Sequence, residues 1–149
     1  MTAITNLQAG DIIYGSFEAY WEPLHPTVLI SFPNRPFDPE DLGGNPTDAY
    51  VRLYSLASSD EGNVRQTWSS DPQVFKRSGI LTVEIYTRVG QSTDLGYSLA
   101  DDVQTWLEKP AMTDVFFNSF TGAQEVGPDG TWFQIATAAN WSYFTDRAA

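Results

Sequence analysis

The stretch GILTVEIYTRVGQSTDLGYSLADDVQTWL, from Gly79 to Leu107, constrains the fold more than any other part of this chain. Its first half alternates: Leu81, Val83, Ile85 and Val89 face one way, and Thr82, Glu84, Tyr86 and Arg88 the other. A period of two is that of a half-buried strand. Past Gly90 the period lengthens, and Leu95, Leu99, Val103, Trp106 and Leu107 predict a helix stopped by Pro110. Ser92 or Thr93 can cap that helix, and Asp94 lies in its first turn, where the helix dipole favours an anion. A strand, a glycine-containing turn and a helix start are also the parts of a phosphate loop. Here VGQSTDLG is followed by Tyr97 where the lysine of GxxxxGK would stand, and Asp94 would repel a phosphate. The turn reads as architecture.

A second alternating run, AYVRLYSLAS (49–58), sets Val51, Leu53 and Ser55 against Arg52, Tyr54 and Leu56. Joined to the first run by the polar arm 59–72, it predicts an extended antiparallel hairpin. Near the start, Thr5 and Gln8 fit a capping box, predicting a helix over 5–22 that ends at Pro23 and Pro26. Its expected apolar stripe is Leu7, Ile13, Tyr14, Phe17 and Trp21. HPTVLISF (25–32) reads as extended, and PNRPFDPEDLGGNPTD (33–48) as surface. The segments 114–122 and 131–144 flank GAQEVGPDG, whose Pro-Asp-Gly predicts a second hairpin turn. The expected fold is α+β in one domain, 1–149. It is a mixed, mainly antiparallel sheet with two helices packed on one face and long hairpin or loop arms.

Composition removes several function classes. The 149 residues include no cysteine, so neither disulfides nor thiolate metal sites are available. Eight basic against 19 acidic residues leave a net charge of −11, which opposes tight binding of nucleic acid or an anionic membrane. No segment approaches the ~20 apolar residues of a membrane span. The opening residues lack the basic start of a secretory signal, so the chain is expected to be made in the cytoplasm. His25 is the only histidine, which leaves no histidine cluster for metal or relay chemistry. Asp38, Glu40, Asp41, Asp60, Glu61, Asp101 and Asp102 are expected to be solvated surface. The adjacent pair Asp101 and Asp102 points in different directions and makes a poor catalytic dyad. No enzyme activity, cofactor or metal is expected.

What remains is a surface. The second strand face combines Arg52, Tyr54, Glu84, Tyr86 and Arg88, a mixture of charge and rings suited to protein contact. Trp21 and Trp106 fall on the predicted helix stripes and read as core. Trp68, in the polar arm, reads instead as an anchor for a partner, since interface hot spots favour Trp, Tyr and Arg. These six residues, Trp68 with the five of the strand face, are the candidate subunit or partner contacts. The arms 33–48 and 59–72 are longer than a compact domain needs, as if they ordered on neighbouring subunits.

The order of segments now matters. A helix ending in Trp precedes an NRPF-D-P segment, YVRLYSL, a polar arm, SGILTVEIYTRVG, LGYSLADDVQTWL, a phenylalanine-rich strand and GPDGTWFQIATAANWSYF. This series resembles the tail terminator proteins of long-tailed bacteriophages, in the group similar to the terminator of phage lambda. The resemblance implies a virion structural protein of the tail and neck, assembled in the host cytoplasm. It implies a ring, usually of six subunits, that caps the tail tube and joins it to neck and head completion proteins. DNA would pass through such a ring without specific binding, as the acidic balance suits. Arg52, Arg65, Arg77 and Arg88 would retain DNA if they lined the lumen, so most are expected to pair with acids at subunit interfaces. Another neck or tail-tube component, such as a connector subunit, would share most of these features. A carbohydrate-binding module using Trp68 with Tyr54 or Tyr86 is a reading of a different class.

Overall fold

The computed structural model describes residues 3–33, 35–40, 48–63, 74–90 and 93–146. In chain order these form α1 (Asn6–Leu24), β1 (Leu29–Ser31), β2 (Ala49–Asn63), β3 (Val74–Arg88), α2 (Thr93–Glu108), β4 (Val115–Asp129) and β5 (Trp132–Asp146). The five strands make one sheet in the order β1-β2-β3-β5-β4. Only the β1–β2 pair is parallel; β2–β3, β3–β5 and β4–β5 are antiparallel. The architecture is the expected α+β one, with both helices on the same face.

The β2–β3 hairpin has the expected faces. Val51 and Leu53 lie opposite Ile85 and Val83, and all four are fully buried under the helices with Leu81. Val89 departs from the alternation: β3 ends at Arg88, and Val89 turns outward with its N–H bonded to the Thr131 carbonyl at 2.8 Å.

α1 begins as its capping box requires. The Gln8 N–H donates to Thr5 Oγ1 at 3.2 Å, and the Thr5 N–H donates to Gln8 Oε1 at 2.9 Å. Its buried stripe is Ala9, Ile13, Phe17 and Trp21, each one turn from the last. Leu7 is not on it and is 74% exposed. Six residues separate Leu7 from Ile13, which turns it well away from the stripe in a helix of 3.6 residues per turn. Pro23 sits in the last turn, and the helix ends one residue later.

α2 packs through Gly96, Leu99, Ala100, Val103, Trp106 and Leu107. Leu95 lies beside this stripe and is 40% exposed, because Gly96 makes the close approach. A Cβ on Gly96 would stand 2.7 Å from Ile135 Cδ1 on β5. The second glycine of the VGQSTDLG turn therefore serves helix-on-sheet packing. Phe17 joins the helices, stacking on Trp21 at 5.2 Å and meeting Trp106 edge-on at 5.0 Å. Each indole finds a polar partner: Trp21 Nε1 donates to the Val28 carbonyl and Trp106 Nε1 to Ser16 Oγ, both at 3.0 Å.

The β4–β5 hairpin is longer than its sequence suggests. β4 runs through GAQEV to Asp129, and the turn is only Gly130–Thr131, with Gly130 at φ +64°. Three register shifts interrupt the pairing, between Asn118 and Phe120, Thr121 and Gln124, and Glu125 and Gly127. Bulges of this kind let an edge strand twist without losing its partner. Trp132 and Trp141 project to opposite faces, and both are buried.

Candidate functional site

The sheet face away from the helices carries a wired cluster. Glu84, in the C-terminal half of β3, is 2% exposed. An isolated carboxylate there would be costly, and it survives by accepting several hydrogen bonds. Arg52 on β2 reaches Glu84 Oε1 through Nη2 at 2.8 Å, while the Tyr86 hydroxyl and Gln134 Nε2 on β5 both donate to Oε2. The register requires this convergence, because Arg52 pairs with Glu84 across β2–β3 and Tyr86 pairs with Gln134 across β3–β5.

Rings surround the polar centre. Tyr50 stacks on Tyr86 at 4.6 Å and 7°, and meets Trp132 edge-on at 5.0 Å. The Arg52 guanidinium lies 5.5 Å from the Tyr54 ring and 5.8 Å from the Tyr86 ring. Arg88 sits 4.1 Å over Trp132 and pairs with Glu40 at 2.9 Å. Burial raises the Tyr86 hydroxyl well above the ordinary phenol range, and its bond to Glu84 adds to the rise. Tyr50 and Tyr54 move the same way, again chiefly through burial. The hydrogen bond to Glu84 holds Arg52 still more firmly protonated. Donation from Arg88 lowers the Glu40 carboxyl below its usual value.

Five of the six candidate contacts therefore meet on one face, and Trp68 lies outside the described residues. They are not equivalent. Glu84 and Tyr86 are buried within the chain and organise the face from beneath; Arg52, Tyr54 and Arg88 reach solvent. A sugar platform built on Tyr86 is excluded, since its ring is covered by Tyr50. Two of the four arginines have acid partners within the chain. Arg52 and Arg88 take their acids from their own chain, Glu84 and Glu40. Arg77 lies on β3 opposite Tyr143, and Arg65 falls outside the described residues.

Two further findings correct the sequence reading. The segment 33–40 is not wholly an arm for a neighbour. Phe37 packs on Tyr50 at 5.0 Å, and Glu40 accepts from Arg88 and, at 3.2 Å, from Thr131, closing one end of the face. Only the aromatic character of Phe37 hinted at this. Asp102, expected to be solvated, is bonded to His25, whose Nε2 lies 2.6 Å from Asp102 Oδ2. His25 is also the C-cap of α1, and its ring contacts Trp21 at 4.4 Å. The Tyr20 hydroxyl donates to the Asp102 carbonyl at 2.8 Å, so the three groups tie α1 to α2. Nothing in the sequence marks a pair 77 residues apart. Among the described residues no three His, Cys, Asp or Glu side chains gather to hold a metal, and no helix is long and apolar enough to cross a membrane.

Beyond the cluster, the same face opens. Ile80 on β3 and Phe116 on β4 lie on it in the register and are exposed, separated by Asn118, Asn140 and Ser142.

No protein-family model matches this chain, and no curated protein does. Among solved structures 24 chains match. One of them superimposes with a TM-score of 0.57 at 11% identity, covering 93% of this chain and 96% of its own length. It carries only a sequence label, which states no function. The likeness extends over nearly the whole of both chains and concerns the fold alone.

Proposed function

We propose that this chain is the subunit of a ring, of six copies by the resemblance stated above, that caps the tail tube of a long-tailed phage. The ring joins the tube to neck and head completion proteins. The reading makes it a virion structural protein without catalytic activity, assembled in the host cytoplasm, through which DNA slides without specific binding. The observation that carries it is the sheet face that no helix among the described residues covers. Rings and guanidinium groups, enriched at protein interfaces, are held in place there by the buried Glu84 and continue into exposed Ile80 and Phe116. A face of this composition is suited to packing against protein, and its rigid wiring reduces the entropy lost when a partner arrives.

The test is to incubate purified protein with tail tubes and count capped ends by electron microscopy. Selective capping of one end of each tube is expected, and capped tubes should then accept heads. The double substitution Ile80→Asp with Phe116→Asp should leave the fold intact and abolish capping. Tubes left bare by the unaltered protein at saturating concentration would overturn the reading.

A further inference from the structure

A cleft of about 680 Å³ lies at the β1 end of the sheet and meets the cluster described above at Phe37, which packs on Tyr50. The C-terminal half of α1 forms one wall through Glu18 and Glu22, and residues 35–37 form the other through Arg35 and Phe37. Between them lie β1, with Ile30, and Phe32. Among the described residues β1 is the outermost strand of the sheet and is bonded to β2 on one side only. The cleft thus brings together an unextended strand edge, an apolar lining and two acids on one rim.

The acids are the informative part. Glu18 and Glu22 are four residues apart on α1, where like charges oppose helix formation. Neither has a cation beside it among the described residues, although the Arg88–Glu40 and Arg52–Glu84 pairs show that this chain pairs acids elsewhere. Arg35 on the opposite wall is instead turned onto the Phe32 ring, 4.7 Å from its centroid. A strand laid along β1 would form main-chain hydrogen bonds to the free edge and place alternate side chains towards the two walls.

We propose that this cleft receives an extended segment of a partner protein in which apolar residues alternate with Lys or Arg. The segment adds a strand to β1, sets its apolar side chains beside Leu29 and Phe37, on the face that Tyr50 occupies, and brings its cations to Glu18 and Glu22 on the α1 face. Charge complementarity selects it over an acidic or neutral peptide. The site is independent of the ring reading, since a monomer would carry it equally well.

The probe is a fluorescein-labelled Leu-Lys-Leu-Lys-Leu peptide, titrated with the full-length protein at low salt and followed by polarisation. Saturable one-to-one binding is expected. The matching Leu-Glu peptide and a backbone N-methylated Leu-Lys peptide should fail to bind. The Glu18→Gln, Glu22→Gln protein should keep its thermal stability and bind the Leu-Lys peptide several-fold more weakly, up to about tenfold, the range two exposed ion pairs allow. Amide signals of Leu29–Ser31 should shift on binding. No saturable binding up to millimolar protein, or equal binding of the acidic or N-methylated peptide, would overturn the proposal. So would unchanged affinity in the double variant. Loss of ring mass in that variant without any peptide binding would assign the cleft to a second copy of this chain, which also overturns it.

Discussion

Replacing Tyr86 by Phe removes one oxygen from the centre of the sheet face and tests the wiring directly. The ring, and its stacking on Tyr50, stay in place. What disappears is the hydroxyl that donates to the buried Glu84, leaving that carboxylate with Arg52 and Gln134. A buried hydrogen bond to a charged group contributes about 1.5–3 kcal/mol. A loss near 2 kcal/mol lowers the midpoint of thermal unfolding by roughly 4–8 °C in a chain of this size. The alkaline limb supplies a second signature. The folded-state pKa of Tyr86 is raised above its unfolded value of 10.0. Its contribution is therefore complete below about pH 10 and declines as pH rises towards the raised value, because the unfolded chain releases the proton first. One such proton gives a slope of at most about 1.4 kcal/mol per pH unit. The raised Tyr20, Tyr50, Tyr54 and Tyr97 contribute alike to both proteins. Urea unfolding from pH 7 to pH 11 should thus show a gap between parent and variant that is constant to about pH 9 and narrows above pH 10. A neutral-pH gap below about 0.5 kcal/mol, or one that stays constant to pH 11, would refute the wiring.

Other perturbations probe the frame that holds this face. Gly96→Ala should destabilise the protein by about 1 kcal/mol, because overpacking against Ile135 outweighs the ~1 kcal/mol that alanine gains in a helix. Adding Ile135→Val removes the clashing Cδ1, and the double variant should be more stable than the sum of the single changes predicts by chemical denaturation. Thr5→Ala breaks the capping box and should cost about 1 kcal/mol, read as a lower unfolding midpoint with an unchanged denaturant slope. Phe17→Ala, at the junction of Trp21 and Trp106, should cost about 3–5 kcal/mol and lower the yield of folded protein.

The sheet and both helices were legible because each buries one face, and burial imposes its period on the sequence. Val51, Leu53, Leu81, Val83 and Ile85 could hardly be arranged otherwise. Legibility failed at the ends of elements, where the period persists but the neighbour does not. Val89 and Leu95 continue their patterns past the point where the neighbouring layer buries them. Leu7 is apolar, but its spacing turns it off the buried stripe of α1. The site was legible as a face and not as a circuit. Alternation places Arg52, Glu84 and Tyr86 on the same side, but the convergence of Arg52, Tyr86 and Gln134 on Glu84 depends on the register of three strands. The Glu40–Arg88 and His25–Asp102 contacts depend on how loops and helix ends fold back over 48 and 77 residues. No local signal encodes such returns.

The measurement that bears most directly on the ring is particle mass by light scattering across a range of concentrations, with and without tail tubes. The account predicts a rise from monomer to a species six times heavier, or its formation on the tube ends. A mass that stays monomeric at every concentration, with tubes present and left bare, would contradict it.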